Sequence, residues 1–223
     1  MTSAAVITID GPGGAGKGTV TALVAKNLGF RTLDSGALYR ILALHCEKKQ
    51  IPLDQVNSIL EDIAHLPVDF VEGRVVLDGE DVSDAIRSEA VGAAASKVAV
   101  YPAVRQALLE LQKSFAMPPG LVADGRDMGT VVFTDAKLKI FLTASAEERA
   151  QRRYKQLIAA GQGGSLRDLV EDIQARDRRD MDRETAPLRP AEDSVVIDST
   201  GMTIEEVVEQ ILELWQKLTL SAS

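Results

Sequence analysis

Four short runs in this chain are apolar or β-branched at consecutive positions: Val6-Ile7-Thr8-Ile9, Leu121-Val122-Ala123, Ile140-Phe141-Leu142 and Val195-Val196-Ile197. The first, β-branched and apolar, predicts a strand buried on both faces, and the other three predict further core strands. The shorter Phe30-Arg31-Thr32-Leu33-Asp34 predicts one more. Between these runs the apolar positions recur at helical spacing, which predicts helices over 19–28, 37–49, 53–66, 84–99, 102–115, 146–160 and 166–184. Pro102 suits a first helical turn. Thr203-Ile204-Glu205-Glu206 has the form of a capping box and opens the last helix. Strands alternating with helices imply a parallel sheet joined by right-handed crossovers, with ligands at the carboxyl ends of the strands.

One stretch departs from this rhythm. From Val68 the period is two: Val68-Asp69-Phe70-Val71, a Glu72-Gly73 turn, Arg74-Val75-Val76-Leu77, then Asp78-Gly79 and Glu80-Asp81-Val82. Asp-Gly favours a tight hairpin, so the stretch predicts a small antiparallel meander inserted into the α/β pattern. Gly161-Gln162-Gly163-Gly164-Ser165 predicts a flexible joint before a helix dense in both charge signs. Neither internal repeats nor low-complexity tracts break the chain.

The first strand runs straight into Gly11-Pro12-Gly13-Gly14-Ala15-Gly16-Lys17-Gly18-Thr19, which fits G-x-x-x-x-G-K. Strand, glycine loop and helix are the context in which this motif cradles phosphate. Glycines let backbone N–H groups turn inward, the helix N-terminus adds its positive end, and Lys17 adds a full charge. Gly18 stands where a magnesium-ligating hydroxyl usually follows the lysine, and Thr19 comes one place later. One residue along a helix is a turn of about 100°, so direct metal ligation from this loop is not expected.

Composition narrows the reading little and charge narrows it more. The 223 residues suffice for one domain with an insertion, and 45% hydrophobic with 26% charged residues is ordinary for a globular chain. A net charge of −8 disfavours nucleic acid and anionic membranes as partners, so phosphate chemistry must rest on locally gathered arginines. The single Cys46 excludes an intrachain disulfide and fits a reducing compartment. Neither a signal peptide nor a membrane-length apolar run is read, and the expected location is cytoplasmic. His45 and His65 read as core-edge or solvated residues, with no metal-ligand spacing to another donor.

Three strands end in polar residues: Asp10-Gly11, Asp34-Ser35-Gly36 and Asp124-Gly125-Arg126-Asp127. The expected topology turns these ends toward one cleft. Asp124 has the place of a carboxylate that holds hydrated Mg²⁺, and Asp10 is expected to brace the phosphate loop. Arg40 and Arg126 suit a second phosphate, since a guanidinium fork grips phosphate bidentately. A second anion site makes phosphate transfer a better reading than simple nucleotide hydrolysis. Arg176, Arg179, Asp180 and Arg183 fall on one helical face, while Arg178 points elsewhere. Such a helix, following a glycine-rich joint, can close over a transferring phosphoryl group and exclude water.

These residues together give the chain its resemblance. The loop at 11–19 is shared by many nucleoside monophosphate kinases. Leu33-Asp34-Ser35-Gly36-Ala37-Leu38-Tyr39-Arg40, Asp124-Gly125-Arg126-Asp127-Met128-Gly129-Thr130 and Ala175-Arg176-Asp177-Arg178-Arg179-Asp180 resemble the bacterial cytidylate (CMP) kinases. The resemblance runs from Val6 to the last helix. It implies an α/β fold with a five-stranded parallel P-loop kinase core flanked by helices. To this it adds a small antiparallel β plus helix monophosphate-binding insert over 67–100 and a helical lid over 150–185, within one kinase domain. It implies in-line transfer of the ATP γ-phosphoryl group to CMP or dCMP, with Mg²⁺ and a monomeric enzyme. By position, Ser35, Arg40 and Arg126 would hold the acceptor phosphate beside Gly36 and Tyr39. Ser96, Arg105 and Asp127 would read cytosine. Asp180 would bind the ribose with help from Arg176, and Arg183 would reach either the acceptor or the transferring phosphate. Lys17, Arg126, Arg176 and Arg183 would carry the chemistry. Gly11 to Thr19 would hold ATP, with Arg149 and Arg153 at its border.

Two other readings stay open on the residues alone. One is a P-loop kinase for another small acceptor, such as AMP, UMP, thymidylate or a hydroxylated metabolite. The other is a nucleotide-dependent switch, which the second-site arginines and the lack of an N-K-x-D tetrad oppose.

Overall fold

The computed structural model describes residues 4–63, 65–71, 74–161 and 163–221. In chain order they form β1 (Ala5–Asp10), α1 (Lys17–Leu28), β2 (Arg31–Asp34), α2 (Ser35–Lys48), α3 (Val56–Ile63), β3 (Val68–Val71), β4 (Arg74–Leu77) and β5 (Glu80–Asp81). There follow α4 (Glu89–Val98), α5 (Pro102–Ser114), β6 (Gly120–Gly125), β7 (Leu138–Thr143), α6 (Ala146–Ala159), α7 (Leu166–Met181), β8 (Val195–Asp198) and α8 (Ile204–Ser221). Two shorter pieces are a tight 3₁₀ turn at Ala85–Arg87 and a single, wider π-helical turn at Met128–Val132. The chain folds as two units, one built from the segments up to Leu33 and from Phe115 onward, the other from Asp34–Ser114.

The first unit carries a five-stranded sheet in the order β2-β6-β1-β7-β8. β1 runs parallel to β6 and to β7, with Ile9 opposite Asp124 and Asp10 opposite Gly125. Ile7 and Ile9 of β1, Val122 of β6 and Ile140 and Leu142 of β7 join one apolar layer. α1 covers that layer with Val20 and Val24, and α8 with Val207, Val208 and Ile211. Each fully buried aliphatic side chain here contributes about 1.5–3 kcal/mol, which fixes where the strand ends stand. The capping box forms as its spacing predicts: Thr203 N donates to Glu206 at 2.8 Å, and Glu206 N donates to Thr203 Oγ1 at 3.2 Å.

In the second unit α2, α3, α4 and α5 enclose Leu42, Ala43, Cys46, Ile59, Val98, Val104 and Leu108. β3, β4 and β5 form the expected antiparallel meander. Its second turn has positive φ at both Asp78 (53°) and Gly79 (79°), which matches the right-handed twist of the flanking strands. The Glu72-Gly73 turn lies outside the described residues. Cys46 is buried, and burial pushes its thiol up to about 11.

Several boundaries differ from the sequence expectation. The helix expected over 84–99 is broken, because Ser88 takes an extended conformation and its hydroxyl caps α4 by accepting from Val91 N. The helix expected over 53–66 is only α3, and Ala64 lies outside the described residues. The helix expected to reach 184 stops at Met181, so Arg183 sits beyond it. Ser165, read as part of a joint with Gln162 outside the described residues, is the N-cap of α7 and accepts from Asp168 N. His45, expected at a core edge or in solvent, is buried and lies 2.7 Å from Asp62.

Candidate active site

The phosphate loop is shaped by two glycines and a lysine. A Cβ on Gly11 would lie 1.9 Å from the Leu142 carbonyl oxygen, so only glycine lets the chain leave β1 beside β7. Gly16 caps α1 from the left-handed region at φ 88° and makes no side-chain cap. The first amides of α1 therefore face the loop as donors. Lys17 arches back, and its Nζ donates to the Pro12 carbonyl at 2.9 Å. A side chain at Gly18 would meet nothing within 4 Å, and Thr19 is exposed. Arg149 of α6 braces the loop from outside. Its Nη1 donates to the Gly13 carbonyl at 2.9 Å, its Nε to the Ala144 carbonyl at 3.0 Å, and its fork grips Asp177 of α7.

Beside this loop the segment after β6 brings up Arg126 and Asp127. Arg126 Nε donates to Asp180 Oδ2 at 2.9 Å, and Arg183 donates to the other Asp180 oxygen. Asp180 is 3% exposed. Burial opposes its charge, but the guanidinium groups of Arg126, Arg183 and Arg176 outweigh it and hold the carboxyl below the usual carboxylate range. The space over Gly13 is bounded by Arg126 and Arg176, whose guanidinium atoms would stand 3.3 Å and 3.8 Å from a Cβ there. Arg126, Arg176, Asp180 and Arg183 thus converge on the flank of the phosphate loop. Arg179, on the expected face, is exposed instead. Arg153 lies half-buried one turn along α6 from Arg149.

Asp10 corrects an expectation. It does not brace the phosphate loop with its side chain. It accepts from Met128 N at 2.8 Å and Gly129 N at 2.7 Å, because β1 ends beside β6 and the chain after β6 turns back over it. Asp124 is buried at the end of β6. Among the described residues no group of three or more His, Cys, Asp or Glu is placed to hold a metal ion. One carboxylate at a strand end suits a cation that keeps most of its water and binds chiefly to substrate phosphates, which is the habit of Mg²⁺.

The second unit gathers Ser35, Tyr39, Arg40, Ser96 and Arg105. Asp34 caps α2 by accepting from Ala37 N, which sets Ser35 and Gly36 in its first turn. Gln112 of α5 donates to Ser35 Oγ at 3.1 Å. Arg40 Nη1 donates to the carbonyls of Ile86 at 2.8 Å and Ser88 at 3.2 Å. Its guanidinium lies on Gly92, where a Cβ would come within 2.9 Å of Nη2. Ser96, one turn on, bonds back to the Gly92 carbonyl. Arg105 sits over the Tyr39 ring at 5.8 Å from its centroid.

Gln112 and Gly92 escape a reading of the sequence by motif, and Asp177 lies inside one whose reading gives it no role. The first two leave a trace in the sequence. Gln112 interrupts the apolar series Val104, Leu108 at spacing four, and Gly92 lies mid-helix, where glycine costs about 1 kcal/mol against alanine. A polar residue on a buried stripe and a costly helical glycine both signal a specific neighbour.

Comparison with known proteins gives a consistent picture. Residues 7–217 match the family model described as cytidylate kinase. A cytidylate kinase of Stutzerimonas stutzeri is 57% identical over 213 residues, covering 93% of this chain and 93% of the relative. One from Vibrio parahaemolyticus is 56% identical over 212 residues, covering 93% and 94%. In fold, the chain is similar to a crystal structure of an uncharacterized protein from Eubacterium ventriosum, with a TM-score of 0.54 at 13% identity over 96% of this chain and 98% of that one.

Proposed function

The chain belongs to the cytidylate kinase family, and from that premise we propose how its residues carry the reaction. The reaction is ATP-dependent phosphorylation of CMP and dCMP to CDP and dCDP. The observation that carries the mechanism is the gathering of Lys17, Arg126 and Arg176 around the loop Gly11–Thr19.

ATP binds with its phosphates in the loop, where the first amides of α1 and Lys17 neutralise them. Arg149 holds the loop at Gly13, and Arg153 borders the donor nucleotide. Asp124 would hold Mg²⁺ through water, and the ion would supply charge neutralisation for the donor phosphates. On the acceptor side Ser35, Gly36, Tyr39, Arg40 and Arg126 bind the CMP phosphate. Ser96, Arg105 and Asp127 read cytosine. Asp127 accepts from the cytosine N4 amine, whereas the uracil 4-carbonyl would face a carboxylate with no proton between them. Asp180 and Arg176 take the ribose.

Transfer is direct and in line. The acceptor phosphate oxygen is already anionic near neutral pH, so no strong base is required. Arg126, Arg176 and Arg183 stabilise charge spread over the equatorial oxygens as phosphoryl leaves ADP and reaches CMP. Closure of the lid region 150–185 keeps out water, which would otherwise compete as acceptor. The insert over 67–100 serves the acceptor. No helix of the described residues is long and apolar enough to cross a membrane; we place the enzyme in the cytoplasm as a monomer.

ADP release measured in parallel with CMP, dCMP, UMP and AMP at saturating Mg-ATP tests this reading. The two cytosine nucleotides are expected to turn over fastest. Faster turnover of AMP would overturn it.

A further inference from the structure

Asp10 is a buried carboxylate, 5% exposed, that the mechanism above does not use. It stands at a junction. Its own backbone leads into Gly11, the first residue of the phosphate loop, and lies in register with Gly125 of β6. Its side chain takes the amides of Met128 and Gly129 on its two oxygens. Between those attachments lie only Arg126 and Asp127. This two-residue span is thus pinned on both sides to one residue, by the sheet before it and by the carboxylate after it. The π-helical turn anchors the same span, since the Asp127 carbonyl accepts from Val131 N at 2.9 Å and Val132 N at 3.2 Å. Gly129 is shaped for the contact: a Cβ there would fall 2.9 Å from Thr8 Oγ1 and 3.4 Å from Asp10 Oδ2.

A fold needing only a plug at this position would not choose an ion, because burying a carboxylate is costly. Two adjacent amide donors explain the choice. A carboxylate offers an acceptor oxygen to each, whereas the isosteric amide of asparagine offers one oxygen and turns an N–H against the other donor. Burial raises the Asp10 carboxyl to about 6, against the lowering effect of the two amides and of Lys17 and with a raising effect from Asp127.

We propose that Asp10 is a positioning residue for the acceptor side of the reaction, fixing Arg126 and Asp127 at a set distance from the phosphate loop. The proposal rests on the reading that Arg126 and Asp127 serve CMP. It makes the carboxylate at the end of β1 the gauge between donor and acceptor phosphates. Arg126 then depends on Asp10 for its backbone position and on Asp180 for its side-chain direction.

The test compares Asp10→Asn with the parent in four readouts: KM for CMP, the CMP-over-UMP ratio of kcat/KM, Kd for ATP without acceptor, and the thermal midpoint. Small misplacements of positioning groups cost up to about 10²-fold, so KM for CMP should rise about 10-fold or more and the ratio should fall by a similar factor. ATP affinity should stay within about twofold, because the loop itself keeps its amides and Lys17. Parent values for both CMP readouts would overturn the proposal. So would a variant in which ATP affinity, CMP affinity and thermal midpoint decline together, since that describes a general structural residue. Asp127→Ala separates the two failures. If it keeps the parent CMP-over-UMP ratio, the base-reading role of Asp127 is wrong, and Asp10 is judged by KM for CMP alone. Should Asp10→Asn not fold, the parent enzyme supplies the test. Protonated Asp10 turns an O–H against one amide, so the CMP-over-UMP ratio, in which the titration of the nucleotide phosphates cancels, should fall as pH drops through about 6. A ratio flat from about pH 5 to 8 would overturn the proposal.

Discussion

Arg126 and Asp180 meet at 2.9 Å and tie the segment after β6 to the last turn of α7. The pair has a cost and a use. Both groups are largely withdrawn from water, and Asp180 accepts from Arg126 on one oxygen and from Arg183 on the other. Two arginines proposed for the transferring phosphate are therefore aimed by one carboxylate. Asp180→Ala leaves both without their partner, and breaking a buried pair from one side costs about 3–5 kcal/mol. Thermal unfolding should register that loss, and kcat should fall with it. The pH dependence has a definite sign. The folded carboxyl titrates below its ordinary value, so its contribution is complete above the unfolded value of 3.8 and is lost as pH falls through the lowered one. The gap in thermal midpoint between parent and Asp180→Asn should therefore shrink in acid.

Asp10 carries the opposite sign. Its carboxyl titrates at about 6 in the fold against 3.8 ordinarily. The fold then binds more protons than the unfolded chain between those values, and stability declines as pH rises through that window. Over the whole window the decline amounts to about 3 kcal/mol as an upper figure. Unfolding by urea from pH 4 to 7 should show this slope in the parent and lose it in Asp10→Asn.

Arg40 rests on Gly92 with no room for a methyl group, a Cβ there falling 2.9 Å from its Nη2. The obstructed atom is the end of a long side chain, so Gly92→Ala should move Arg40 and leave the fold standing. Alanine also favours the helix by about 1 kcal/mol. The expected outcome is an unchanged or slightly higher thermal midpoint with KM for CMP raised about 10-fold, as fits the loss of one charge-assisted phosphate contact. An unaltered KM would remove Arg40 from the acceptor site.

How much of this is legible in the sequence depends on the distance over which each feature is fixed. The phosphate loop, the hairpin at Asp78-Gly79 and the capping box at Thr203 are set by neighbours in sequence, and all three stand as the sequence implies. Four of the five core strands follow from apolar runs, and β2 from the shorter mixed stretch at 30–34. The order β2-β6-β1-β7-β8 is a property of packing, and no local pattern states it. The same holds for side-chain partners. Asp10 and Asp180 are legible as acidic residues in suggestive places. That one takes the Met128 and Gly129 amides and the other takes Arg126 depends on β1 lying against β6 and on α7 returning to the segment after β6. Helix ends depart from the periodic pattern where a polar residue competes for the backbone, as at Ser88, whose hydroxyl starts α4 afresh.

Arg149, placed by the family resemblance at the border of ATP, has its guanidinium committed to protein acceptors at Gly13, Ala144 and Asp177. Its influence on ATP must then pass through the shape of the loop. Arg149→Lys keeps the charge and loses the fork, so it should weaken ATP binding almost as much as Arg149→Met. Titration calorimetry with ATP alone reads the difference. Full rescue by lysine would show that charge near the donor phosphates, and not the brace on Gly13, is what Arg149 supplies.

Arg183 separates aim from action. It lies just past the end of α7 and bonds Asp180, so a loss of activity on its removal has two explanations. One is that Arg183 touches the transferring phosphoryl group in the transition state. The other is that it only steadies Asp180, and through it Arg126. The first predicts that Arg183→Ala lowers kcat by about 10² or more while KM for CMP moves little, since the lost contact exists only in the transition state. The second predicts a smaller loss that Asp180→Asn already contains. Pre-steady-state measurement of the transfer step in both single variants and the double variant decides between them. If Arg183 acts on phosphate itself, its removal still slows an enzyme that lacks the Asp180 carboxylate. If it acts through Asp180 alone, the double variant is no slower than Asp180→Asn.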